Sequence, residues 1–142
     1  MLEIEKYAYE NSIPIMQKDG IEFLTKFICE NNIKKILEIG TAIGYSAINM
    51  ALASEDVTVT SIERDNERYI EAVKNVKKFG LDDRITLVLC DALDFNLEDK
   101  FDLIFIDAAK SQYIKFFEKF SPNLTQKGFI VTDNINFHGL TN

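Results

Sequence analysis

The chain has 142 residues, of which 46% are hydrophobic and 27% charged, and its formal net charge is −7. One domain of this size can bury a sizeable core, and its eleven Phe are spread along its length. No run approaches the roughly 20 apolar residues of a membrane span, and the acidic balance argues against non-specific polyanion binding through the bulk field.

The N-terminus, Met1 to Lys6, carries acids and no apolar signal core, so a cytoplasmic protein is expected. Residues 3–10 predict a helix. Ile13-Pro14-Ile15 is extended around its proline. Residues 20–31 place Ile21, Leu24, Phe27 and Ile28 on one helical face. Lys35–Ile39 reads as a first strand, followed by a glycine-containing turn and a helix over 44–53. Val57–Ile62, rich in β-branched residues, predicts a second strand. A helix from Asp65 to Phe79 is stopped by Gly80. Ile85–Cys90 and the strongly apolar Phe101–Ile106 predict the third and fourth strands. A helix over 111–120, a turn at Ser121-Pro122-Asn123 and a fifth strand over Phe129–Thr132 complete the pattern.

Strands that alternate with helices imply an α/β fold: a mostly parallel sheet with helices on both faces and right-handed crossovers. The alternation stops after strand five, which leaves an apolar strand at an edge. A shortened chain, or cover from another chain, is expected there. Cys29 and Cys90 form no CxxC pair and are expected to be buried free thiols. Lys74, Lys77 and Lys78, and Lys110, Lys115 and Lys119, predict solvated helix faces.

Every expected strand ends in polar groups. After the first come Gly40, Thr41 and Gly44, a backbone that lets a ligand approach closely, with a helix start behind it. Glu38, just before this turn, disfavours a phosphate and favours an ammonium or sulfonium ligand. Glu63 lies about twenty residues past the turn, where an acid chelates the hydroxyls of a ribose. Asp91 can accept from an adenine amino group, and Ala92 can offer its N–H to the ring. Asp107, Asp133 and Asn134 supply three side-chain oxygens from adjacent strand ends, a donor set that suits Mg²⁺, Ca²⁺ or Mn²⁺. Lys110 suits either a general base or a holder of an oxyanion. His138 has no local partner and is not expected to be catalytic.

Leu37-Glu38-Ile39-Gly40-Thr41-Ala42-Ile43-Gly44-Tyr45-Ser46, Phe105-Ile106-Asp107-Ala108-Ala109-Lys110 and Thr132-Asp133-Asn134 together resemble the motifs of one family. It is the divalent-metal-dependent O-methyltransferases, class I S-adenosylmethionine-dependent enzymes that include the catechol and caffeoyl-CoA methyltransferases. The likeness runs from about Leu2 to Leu140. It implies a Rossmann-like methyltransferase domain over residues 1–142, shorter than the family at both ends and lacking its C-terminal strand hairpin. It implies that Met16, Ser46, Glu63, Asp91 and Asp107 contact S-adenosyl-L-methionine, with Glu38 and Gly40 lining the cradle. It also implies that Asp107, Asp133 and Asn134 hold the metal and that Lys110 acts as base or electrostatic helper. A homodimer is expected. Tyr7 to Glu10, Ile13 to Gly20 and Phe137 to Leu140 resemble the bacterial branch that methylates 5-hydroxyuridine in tRNA.

The acceptor stays open between tRNA and a catechol-like molecule, since both would present vicinal oxygens to a cation. Two other readings compete. A nicotinamide oxidoreductase shares the cradle, but no GxGxxG is present. A shortened domain that only binds cofactor or a partner chain is the other.

Overall fold

The computed structural model describes residues 1–107 and 110–132. In chain order it contains α1 (Leu2–Glu10), α2 (Lys18–Glu30), β1 (Lys35–Ile39), α3 (Tyr45–Leu52), β2 (Thr58–Glu63), α4 (Asn66–Lys78) and β3 (Ile85–Leu89). A single 3₁₀ turn (Ala92–Asp94) leads to β4 (Phe101–Ile106), α5 (Lys110–Phe120), a second 3₁₀ turn (Ser121–Asn123) and β5 (Leu124–Thr132). The five strands form one sheet in the order β3-β2-β1-β4-β5, and every pairing is parallel. The chain winds outward from β1 to β3, then returns to β4 on the other side of β1. The order therefore reverses between β1 and β4, where α/β sheets open a crevice for ligands.

The alternating directions of strand side chains divide the core in two. Ile36, Val59, Ile85, Leu103 and Phe105 pack under α1 to α4 with Leu24, Ile28, Ile48 and Val76. Leu37, Ile39, Ile62, Ile104 and Ile106 face the other way, against Phe116 and Phe120 of α5. Because β4 is covered on both faces, its sequence is an almost unbroken apolar run. Its exception, Asp102, aligns the start of β1: its Oδ2 accepts from the N–H groups of Lys34 and Lys35 at 3.0 and 3.1 Å.

Gly80 ends α4 as expected, with a φ of +68°. The N–H of Leu81 then bonds back to the carbonyl of Val76 at 3.1 Å, closing the helix. Among the described residues, no helix is long and apolar enough to cross a membrane.

Two expectations change. The fifth strand begins at Leu124, not Phe129. Leu124 pairs with Phe101 and Phe129 with Leu103, so β5 bulges between them. Gly128 allows this, since a Cβ there would meet the Leu124 side chain at 2.8 Å and the Phe101 carbonyl oxygen at 3.1 Å. The cysteines are also not buried: Cys29 is exposed and Cys90 half-buried. Cys29 lies outside the stripe of α2 that carries Leu24 and Ile28, and its thiol donates to the carbonyl of Ala53 at 3.1 Å.

The connection from α3 to β2 is gathered by one side chain. Nη1 of Arg84 lies 3.0–3.2 Å from the carbonyl oxygens of Ala51, Ser54, Glu55 and Val57. Charge-assisted bonds to carbonyl oxygens exceed ordinary ones in strength. Arg84→Ala is expected to cost about 2 kcal/mol of stability, read as a lower denaturation midpoint in urea. An unchanged midpoint would remove the clamp from the account.

Candidate functional site

A cleft of about 320 Å³ opens beyond the carboxyl ends of β1 to β4. Gly40, Ala42, Glu63, Asp91, Ala92 and Asp107 line it, so residues from four strand ends meet in one space. A smaller adjoining cavity is lined by Met16, Thr41, Tyr45 and Ser46, and it shares Pro14, Ala42 and Asp107 with the cleft. The strap between α1 and α2, residues 11–17, thus contributes Pro14 to both spaces.

The turn after β1 shapes this site. The N–H groups of Gly40 and Thr41 both bond to the carbonyl of Ile62, at 2.9 and 3.2 Å. Gly40 has a φ of +98°, and a Cβ there would lie 2.3 Å from the backbone oxygen of Asp107. Only glycine permits both features. Ala42 also has a positive φ, +50°. That conformation is costly for alanine, and Glu63 holds it: its Oε1 accepts from the Ala42 N–H at 2.7 Å. The other oxygen of Glu63 accepts from the Asp65 N–H at 3.0 Å. Each carboxylate oxygen has a second acceptor position, so Glu63 is fixed in orientation and can still bind hydroxyls in the cleft.

Asp91 caps the first 3₁₀ turn, its Oδ1 accepting from the N–H of Leu93 at 3.0 Å. Ala92 behind it is buried. Asp107 follows β4, and its N–H bonds to the Ile39 carbonyl at 2.9 Å. Ile106 is paired with Thr132, so β4 and β5 reach the same rim. Asp133, Asn134, His138 and the Lys110 side chain lie outside the described residues. Among the described residues, no group of three or more His, Cys, Asp or Glu is placed to hold a metal ion.

Glu38 departs from the expectation. It is fully buried, lines neither cavity, and lies behind the turn. Ser46 Oγ is hydrogen-bonded to its Oε2, and Ser61 Oγ lies 2.5 Å from its Oε1. Burial pushes its carboxyl up to about 8; the two hydroxyls oppose the shift, and Asp107 and Glu63 add to it. Burial therefore favours the neutral form of Glu38, and its place behind the turn sets it apart from the residues that line the cleft.

Several lining residues escaped sequence reasoning. Arg64 and Arg68 stand at the cleft on the α4 side, with Arg68 Nε 3.4 Å from Asp65 Oδ2. Gln112 and Phe116 of α5 close the opposite side. Arg64 follows Glu63 directly and was readable by adjacency. The α5 residues depend on how that helix crosses the sheet. Ser61 carried one signal, a small polar residue in a β-branched strand.

A parallel sheet with this strand order, and acids at its switch point, defines a Rossmann-like α/β domain. The chain belongs to the O-methyltransferase family, whose model matches residues 1–142. It is 31% identical over 144 residues to the caffeoyl-CoA O-methyltransferase of Populus kitakamiensis, covering 96% of this chain and 61% of that one. Its fold matches a Staphylococcus aureus structure provisionally named a caffeoyl-CoA O-methyltransferase, with a TM-score of 0.89 and 40% identity over 96% of this chain and 66% of that one. The SAH-bound methyltransferase PaMTH1 of Podospora anserina matches with a TM-score of 0.82 and 28% identity, over 89% of this chain and 56% of that one. The chain spans about three fifths of the length of the curated relatives it matches.

Two measurements check this geometry. Gly40→Ala is expected to cost about 3 kcal/mol, from backbone strain and the contact with Asp107, visible as a lowered denaturation midpoint. Glu38 makes stability depend on pH. Its folded value lies above its ordinary 4.5, at about 8. The folded state therefore holds the extra proton between those values, and stability falls as pH rises through that window by up to about 1.4 kcal/mol per pH unit. Below 4.5 the contribution is complete. In Glu38→Gln this slope should vanish, and an identical slope in both proteins would refute the assignment.

Proposed function

We propose that the chain binds S-adenosylmethionine and transfers its methyl group to an acceptor hydroxyl, with a divalent cation assisting. The observation that carries this is the convergence of Glu63, Asp91 and Asp107 with the Gly40 turn on one cleft. Glu63 would hold the ribose hydroxyls, Asp91 and Ala92 the adenine edge, and Met16, Ser46 and Asp107 the amino-acid end. Gly40 leaves room for the ligand beside the Asp107 backbone. Family membership and the SAH bound in the Podospora neighbour support the same cofactor.

The sulfonium of the cofactor supplies an electrophilic methyl group. The acceptor oxygen forms a bond to that carbon while the carbon–sulfur pair leaves on sulfur, and the acceptor's proton must go elsewhere. Lys110, at the start of α5, takes the proton or stabilises the oxyanion. Holding both reactants in line is worth roughly 7–11 kcal/mol of barrier. Asp107 fits a hard cation in donor chemistry and in its place at the cleft, and Asp133 and Asn134 would complete an all-oxygen set. Such a cation would lower the pKa of the acceptor hydroxyl and fix its position.

For the acceptor we favour 5-hydroxyuridine in tRNA. It rests on the N-terminal resemblance and on the cationic pair Arg64 and Arg68 at the cleft. A catechol-like acceptor is the second reading, favoured by the name of the Populus relative.

Incubation with labelled S-adenosylmethionine, Mg²⁺ and either undermodified tRNA or a catechol tests the assignment. Label should enter tRNA. Label in the catechol alone would select the second acceptor, and label in neither would leave a cofactor-binding domain without transfer activity. Glu63→Ala is expected to weaken S-adenosylhomocysteine binding at least tenfold by calorimetry, and unchanged affinity would remove the ribose assignment. Asp133→Ala should abolish metal-stimulated methylation while leaving cofactor affinity intact.

A further inference from the structure

Four buried side chains beneath the turn form a continuous line. Thr41 Oγ1 lies 2.5 Å from Ser61 Oγ, Ser61 lies 2.5 Å from Glu38 Oε1, and Glu38 Oε2 meets Ser46 Oγ. All four are buried, Thr41, Ser61 and Glu38 almost completely. Glu38 comes from β1, Ser61 from β2, Ser46 from the first turn of α3 and Thr41 from the turn itself. Both ends of the line, Thr41 and Ser46, reach the smaller cavity.

There are three links. Three hydroxyls bring three protons, and the carboxyl brings one more when neutral. If Glu38 is ionised, Thr41 donates to Ser61, Ser61 to Glu38 and Ser46 to Glu38. Every proton is used, so both ends can only accept from a ligand. If Glu38 is neutral, three protons make the links and one is left over at an end, facing the cavity. The line then gives the cavity a hydrogen-bond donor.

We propose that Glu38 is a positioning residue that works as a neutral acid, donating to Ser46 so that the Ser46 hydroxyl is free to bind the carboxylate of the ligand's amino-acid end. This rests on the S-adenosylmethionine assignment and deepens it. Three observations favour this direction over the opposite one, in which Ser46 accepts from the ligand's ammonium. Ser46 is the second residue of α3, whose leading N–H groups and dipole favour an anion. Asp107 lines the same cavity and offers the ammonium an acidic partner. Among the described residues, Glu38 has hydroxyl partners and no cationic one, while its acidic neighbours Asp107 and Glu63 oppose a further charge.

Glutamine discriminates the two directions, because its amide donates to Ser46 and keeps its carbonyl for Ser61, as a neutral acid does. Affinities are measured by calorimetry for S-adenosylhomocysteine and for 5′-methylthioadenosine, which lacks the amino-acid end. Glu38→Gln should bind S-adenosylhomocysteine within about threefold of the parent chain. Glu38→Ala and Ser46→Ala should each lose about tenfold or more. All three should bind 5′-methylthioadenosine like the parent.

If Glu38→Gln loses as much as Ser46→Ala, an ionised Glu38 is required and the proposal falls. If 5′-methylthioadenosine affinity falls in parallel, the residue supports the whole site, and the proposal falls too. The Gln and Ser46→Ala comparison decides the matter even where Glu38→Ala does not fold. Failure of the parent chain to bind either ligand would instead overturn the cofactor assignment.

Discussion

The turn after β1 cannot hold its own shape. Gly40, Ala42 and Gly44 all have positive φ, and within the turn Gly44 donates its N–H to the Thr41 carbonyl at 3.0 Å. Neighbouring elements hold the rest. The Ile62 carbonyl takes two N–H groups, Glu63 takes the N–H of Ala42, and Asn75 of α4 donates to the Ile43 carbonyl at 2.8 Å. The cleft is the concave side of a turn held open by β2 and α4. Anything that loosens those contacts changes the site before it changes the sheet.

This explains why two carboxyl groups so close together play different parts. Glu63 is fixed by backbone N–H groups, which can only donate, and it faces the cleft. Glu38 is surrounded by hydroxyls, which can donate or accept, and it faces none of the open space. The first environment suits a fixed acceptor aimed at the cleft. The second suits a group whose hydrogen bonds can be reversed at little cost, and burial pushes it up to about 8. Residue type alone does not separate these roles.

The sheet was legible because its signals are local. Alternation of apolar runs with helical periodicity placed all five strands, and Gly80 marked the end of α4. The strand-end rule then gathered Gly40, Glu63, Asp91 and Asp107 at one rim, where the cleft lies. Long-range contacts were not legible. Glu38 looked like a ligand group because the sequence shows its place in the motif but not that Ser46 and Ser61 cover both its oxygens. The bulged start of β5 depends on the approach of Gly128 to Phe101, which local propensity does not register. Cys29 was misplaced for a similar reason: an apolar segment does not say which turn of the helix faces outward.

The N-terminal helix shares in the site without lining it. Tyr45, the first residue of α3, is buried and donates from its hydroxyl to Glu5 of α1 at 2.6 Å. Glu3 on the same helix is paired with Lys78 of α4. The exposed Glu3 pair is screened and contributes little, whereas the bond from Tyr45 joins α1 to the residue next to Ser46. The strap from Asn11 to Gln17 runs from this anchored helix into α2, and it places Pro14, Ile15 and Met16 along the smaller cavity. One wall of the smaller cavity is therefore set by how α1 packs, and another by the hydroxyl line under the turn. Both walls are tied to the first turn of α3, so the cavity keeps its width only while that turn is held from both sides.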